Sequence, residues 1–249
     1  AQSHDVIENL LGKVLDAGVP PERVGKKAPG SGYPTPPRWT VLPGNDDIPL
    51  FIGEHFAAGF VLGGTAWDFA NGGKVQPDSL DLLVIDEAGQ YSLADTIAVS
   101  VAAQRLLLLG DPQQLPQVTT GAHPEHIYLS ALGWLSDGLD VLPAELGYFL
   151  EETWRMHPDL TRPVSDLSYE GRLRSHLPDT TDRLLDGVAP GLHAIPIDHT
   201  GNSSESVEEC AAVVALVQQH IGMPWSDPST GRDDLLRPTD LIVVAPYNA

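Results

Sequence analysis

The apolar run Leu80-Asp81-Leu82-Leu83-Val84-Ile85 ends in Asp86-Glu87-Ala88-Gly89-Gln90, and a second run, Leu106 to Leu109, ends in Gly110-Asp111-Pro112-Gln113-Gln114-Leu115-Pro116. Each reads as a buried strand that releases acidic and amide side chains at its C-terminal end. A helix-length segment separates the two. This is the pattern of an α/β nucleotide-handling sheet, where ligands bind in the crevice beyond the carboxyl ends of the strands. The pair Asp86-Glu87 has the Walker B arrangement. Asp86 is the candidate magnesium ligand, and Glu87 the candidate for orienting and polarising an attacking water. Gln114 would set an amide against the terminal phosphate.

The rest of the chain reads around these two strands. Ser3 caps an expected helix whose apolar face is Ile7, Leu10, Leu11, Val14 and Leu15, ended by Gly18 and Pro20. Arg23 to Gly25 and Phe60 to Thr65 read as strands, and the Gly- and Pro-rich stretch of about 26–50 as an irregular insertion. Ser92 opens a helix bearing Leu93, Ile97 and Val101. Strand–helix–strand alternation through Leu109 implies right-handed crossovers and a mainly parallel sheet. The organisation changes near residues 140–150, giving expected domains of 1–147 and 148–249. In the second, Pro158 suits the first position of a helix, Leu192 to Ile197 reads as a strand, and Ser206 with Glu209 has the capping-box spacing for a helix through Val213, Val214 and Val217. Leu241 to Val244 reads as the last strand.

Composition narrows the function classes. No apolar stretch among the 249 residues approaches the roughly 20 that a membrane helix needs, and the first residues carry no secretory signal pattern, so the expectation is a cytoplasmic protein without a membrane partner. The single cysteine, Cys210, excludes an intrachain disulfide or a cysteine-based metal cluster; its place in a helical apolar pattern reads as packing. The net charge of −20 counts against tight, non-specific binding to nucleic acid. Two basic groupings temper that expectation: Arg23, Lys26, Lys27 and Arg38, then Arg155, Arg162, Arg172, Arg174 and Arg183. Local patches can hold phosphates on an acidic molecule, because salt screens charges beyond about 8–10 Å.

Taken in order, the motifs resemble those of superfamily 1 helicases, in the branch of the nonsense-mediated-decay helicase and the Dna2-type nuclease–helicases. Residues 86–90, DEAGQ, are similar to motif II, and 110–118, GDPQQLPQV, to motif III. Residues 152–158, ETWRMHP, look like motif IV, followed by the similar continuation Tyr169 to Leu173. Val244 to Asn248 resembles a strand of the second motor domain, Ser3 to Leu11 motif Ia, and Gly64 to Trp67 the segment before motif II. The flavour is that of bacterial helicases that follow a RecB-like nuclease, so a fused or associated nuclease is a possible partner.

The resemblance implies a P-loop NTPase of RecA-like α/β fold, in parts of two tandem parallel-sheet domains. The expected cofactors are ATP and Mg2+, and the expected partner is single-stranded DNA or RNA, with translocation running 5′ to 3′. It carries Glu87, Gln114 and Arg155 over as catalytic residues. Gln114 would sense the γ-phosphate, and Arg155 would act as an arginine finger supplied by the second domain. Asp86, Asp111 and Trp154 would contact the nucleotide, Trp154 by stacking on adenine where the family usually has tyrosine. Ser3, His4 and Thr65 would touch the nucleic-acid backbone. His157 reads as structural. No G-x-x-x-x-G-K-[ST] phosphate loop occurs in the 249 residues. The resemblance places that loop upstream of Ala1 and motifs V and VI beyond Ala249, so this stretch is expected to be a partial motor, inactive alone. The alternative is a helicase-derived, non-catalytic module that binds nucleic acid or protein.

Overall fold

The computed structural model describes residues 3–30, 32–114, 124, 125, 127, 129–228 and 230–245. The chain divides into two compact units, Ala1–Leu142 and Pro143–Ala249. Its mixed α/β architecture contains parallel strand pairs, as the motif pattern requires. No described helix is long and apolar enough to cross a membrane.

The first unit opens with α1, His4–Asp16, capped by the Ser3 hydroxyl, which accepts the Val6 N–H. Its spacing buries Ile7, Leu11 and Leu15 against Val24. There follow β1, Val24–Lys27; β2, Thr40–Leu42; α2, Asp47–His55; β3, Val61–Gly63; and α3, Ala66–Phe69. These strands form a parallel sheet in the order β2-β1-β3. Residues 26–50 are therefore not an irregular insertion throughout. Lys26 and Lys27 belong to β1, the stretch supplies the three-residue β2, and it holds the start of α2. The Gly/Pro signal obscures β2 because so short a strand lies close to Pro37 and Pro43.

Next come β4, Leu83–Ile85; α4, Leu93–Ser100; β5, Leu106–Leu108; and α5, Ala131–Ser136. Strands β4 and β5 pair in parallel, Leu83 opposite Leu106 and Ile85 opposite Leu108. Leu83, Ile85, Ala88 and Tyr91 enter the main core with Phe51, Phe69, Val99 and Leu132. Burial, with Asp95 nearby, pushes the Tyr91 phenol up to about 12. Helix α4 turns a different face inward from the one its leucine and isoleucine suggest. Thr96 and Val99 are buried, whereas Ile97 and Val101 are exposed. Thr96 can be buried because its hydroxyl donates to the Ser92 carbonyl, which satisfies the polar group locally.

The second unit contains β6, Glu152–Thr153; α6, Pro158–Ser168; β7, Arg174–Ser175; β8, Leu184–Leu185; α7, Val207–His220; β9, Pro224–Asp227; and β10, Arg232–Leu235. The pair β6–β7 is parallel, and β10-β9-β8 form an antiparallel sheet. Pro158 stands at the start of α6, where His157 is the cap, its Nδ1 accepting the Asp159 N–H. Three expectations fail here. Leu192 to Ile197 and Leu241 to Val244 form no strand, and Ile195, Ile242 and Val244 are exposed. Apolar composition alone does not make a strand, since the ladder needs a partner and none pairs with them among the described residues. Helix α7 buries none of its residues, so Cys210 is exposed and not a packing residue.

Candidate functional site

The DEAGQ and GDPQQ segments leave the carboxyl ends of the neighbouring strands β4 and β5, and their backbones are in direct contact. The Ala88 N–H donates to the Leu109 carbonyl at 2.8 Å. A Cβ on Gly89 would overlap the Asp111 carbonyl oxygen, and one on Gly110 would lie 2.8 Å from Ala88 N and 2.9 Å from Gly89 N. Gly110 also has φ 155°, a backbone that L side chains rarely adopt. Only glycine allows the two turns to lie this close.

That packing brings Asp86, Glu87, Asp111 and Gln114 to one end of the β4–β5 pair. Asp86 Oδ1 accepts the Glu87 N–H at 3.0 Å, and Glu87 stands at φ 58°, in the left-handed region that non-glycine residues visit rarely. Both side chains are half-buried, and neither makes an ion pair with a cation among the described residues. Carboxylate oxygens left without a protein cation suit a hard divalent ion, which binds one or two carboxylates together with phosphate oxygens and water. Asp111 Oδ1 accepts the Gln113 N–H, and its carbonyl accepts the Gln114 N–H, shaping the second turn. The Gln90 side-chain Nε2 donates to Gln114 Oε1 at 2.9 Å. The rest of the motif III stretch, 115–118, and Tyr247 and Asn248 lie outside the described residues.

Two of the three residues expected at the nucleic acid, Ser3 and Thr65, have structural partners of their own. Ser3 caps α1, His4 is exposed in its first turn, and Thr65 caps α3. Asp68 Oδ2 accepts both the Thr65 N–H and its hydroxyl at 3.0 Å, and Lys74 Nζ lies 2.7 Å from Asp68 Oδ1. Burial raises the Asp68 carboxyl, but the Lys74 and Thr65 hydrogen bonds outweigh it and hold the group below 3.8. The spacing Thr65-x-x-Asp68 carries the capping signal in the sequence.

The two basic groupings are largely neutralised from within. Lys26 is 1% exposed and meets Glu8 at 3.0 Å and the Tyr33 hydroxyl at 2.8 Å, while Lys27 binds Asn45 and Arg38 binds Asp16. In the second unit, Arg172 and Arg174 share Glu151, and Arg183 pairs with Asp227. Adjacency in sequence does not make a free cationic patch, because strands and turns carry Lys26, Arg38, Arg172, Arg174 and Arg183 to acidic partners.

In the second unit, Trp154 is exposed and stacks on His176, with ring centroids 3.4 Å apart. Arg155 is exposed, and its guanidinium has no ion-pair partner among the described residues. The nearby carboxylates are committed elsewhere, Glu151 to Arg172 and Arg174, and Glu152 to His176. Arg183, which the motifs do not single out, donates to the carbonyls of Arg155 at 2.7 Å and Trp154 at 3.2 Å. It fixes the backbone that presents both side chains.

No protein-family model matches the chain. It is 29% identical over 191 residues to DNA-binding protein SMUBP-2 of Rattus norvegicus, across 69% of this chain and 18% of that protein. It is 33% identical over 96 residues to Helicase SEN1 of Saccharomyces cerevisiae, across 38% of this chain and 4% of that protein. The chain thus spans less than a fifth of the length of either relative. The mixed α/β chain with parallel sheets is thus similar, over part of its length, to one protein named as DNA-binding and to one named as a helicase.

Proposed function

We propose that this chain is part of an ATP-dependent motor that acts on single-stranded nucleic acid as a helicase or translocase. The observation that carries the reading is the backbone contact between DEAGQ and GDPQQ at the carboxyl ends of paired parallel strands. The partial likeness to a protein named as a helicase, and to one named as DNA-binding, supports it. In this reading the first unit belongs to one motor domain and the second unit begins the next.

Asp86 holds magnesium, and Glu87 orients water toward the γ-phosphate and takes up its proton. Bound MgATP supplies the phosphoryl group and part of the charge neutralisation. Asp111 shapes the turn that carries Gln114, whose amide contacts the phosphoryl oxygens. Arg155 contributes positive charge as negative charge develops there. Trp154 offers its free face to adenine. His4, with Ser3 and Thr65 through acceptor positions left after capping, meets the nucleic-acid backbone, and stepping runs 5′ to 3′.

The test is ATP hydrolysis, with and without single-stranded DNA or RNA oligonucleotides, by a protein in which a phosphate loop accompanies this chain. Stimulated turnover supports the motor. Oligonucleotide binding without turnover in such a protein replaces it with a non-catalytic binding module.

A further inference from the structure

We propose that Gln90 is a positioning residue that sets the direction of the Gln114 side-chain amide, so that Gln114 presents an N–H donor to its ligand. The inference rests on the motor reading and adds the origin of selectivity for an anionic phosphoryl oxygen at that site. A primary amide has an acceptor oxygen and a two-proton donor nitrogen, and its usefulness to a ligand depends on which one projects. Gln90 Nε2 donates to Gln114 Oε1 at 2.9 Å, so the acceptor end of Gln114 is occupied. Its Nε2 has no partner among the described residues and is the end left for a ligand.

Three contacts keep the pair from drifting apart. The Ala88 N–H bonds the Leu109 carbonyl, Gly89 abuts the Asp111 carbonyl, and Gly110 abuts the Ala88 and Gly89 nitrogens. The neighbouring Gln113 is turned away, its Nε2 donating to Asp140 Oδ1 at 3.0 Å. Of the two consecutive glutamines, Gln114 is therefore the one oriented by the DEAGQ turn. A fixed N–H donor stabilises an oxygen that gains negative charge, whereas a carbonyl in its place repels it.

The test begins with the side-chain NH2 resonances of isotopically labelled 1–249. One Gln90 Nε2 proton should be displaced downfield, and Gln114→Leu should move it upfield. In Gln90→Glu the carboxylate can only accept, so Gln114 should swing its nitrogen inward and become the displaced amide, with the fold unchanged. In a protein that turns over ATP, the same substitution should lower kcat about 10²-fold and leave KM within about threefold, while Gln90→Lys, which keeps a donor, should retain most of the rate. Free-amide positions for Gln90 in the wild type, or Gln114 resonances unmoved by Gln90→Glu, would overturn the inference. Amide reversal with kcat unchanged would instead overturn the assignment of Gln114 to the phosphoryl group.

Discussion

Gly89 and Asp111 meet backbone to backbone, with no room for a Cβ between the Gly89 Cα and the Asp111 carbonyl oxygen. The obstructing atom is backbone at the end of a paired strand, so it cannot swing aside as a side chain would. Gly89→Ala should therefore separate the two motif turns and destabilise the first unit by about 1–3 kcal/mol. Thermal unfolding of wild type and variant measures this. An unchanged melting temperature would show that the turns are not held together as described.

The ion pair between buried Asp68 and half-buried Lys74 should make the first unit acid-sensitive. The Asp68 carboxyl is held below 3.8 in the folded chain, so its contribution is full above that value and fades as pH falls through the lower, folded one. Urea unfolding of wild type and Asp68→Asn should differ at pH 7 and converge as the solution is acidified below the unfolded value. Lys74→Met should be the worse change at neutral pH, costing about 3–5 kcal/mol, because it leaves a buried carboxylate uncompensated.

Purified 1–249 should hydrolyse ATP at no more than background rate, although Asp86 and Glu87 are in place. Without phosphate-loop amides and their lysine, little in these residues holds the β- and γ-phosphates. Robust turnover stimulated by nucleic acid would show that another loop in this chain does so.

In a catalytically complete protein, Glu87→Gln should leave nucleotide binding largely intact and slow turnover about 10²–10⁴-fold. The amide keeps the shape of the side chain but cannot accept a proton from water. Activity within a few-fold of wild type would remove Glu87 from the chemistry.

Arg155→Lys should lower the single-turnover rate in the same protein by about 10³-fold or more, with thermal stability unchanged. The two carboxylates that could otherwise tie Arg155 down are engaged by Arg172, Arg174 and His176. Its backbone is held by Arg183, independently of its own side chain. A lowered melting temperature with the rate preserved would make Arg155 a structural residue.

Local chemistry written into the sequence determined the elements whose signals are self-contained. The helix face of Ile7, Leu11 and Leu15, the caps at Ser3, Ser92 and Ser206, Pro158 at the start of α6, and the β4–α4–β5 alternation all depend on residues a few positions apart. The side chains at the ends of β4 and β5 were legible for the same reason: two apolar runs fix where each strand stops.

Tertiary structure alone decided which surface each element buries and which charges find partners. Helix α4 buries Thr96 and Val99 because a hydroxyl can be satisfied by its own helix, while Ile97 and Val101 stay outside. Strands β2 and β8 to β10 exist because partners align with them. The more apolar Leu192 to Ile197 and Leu241 to Val244 find no ladder among the described residues. The contact of Gly89 with Asp111, the amide pair of Gln90 and Gln114, and the hold of Arg183 on Trp154 and Arg155 join positions more than twenty residues apart. Short-range periodicity carries no information about such distances, because hydrogen bonds and close packing depend on where the folded backbone brings the groups together.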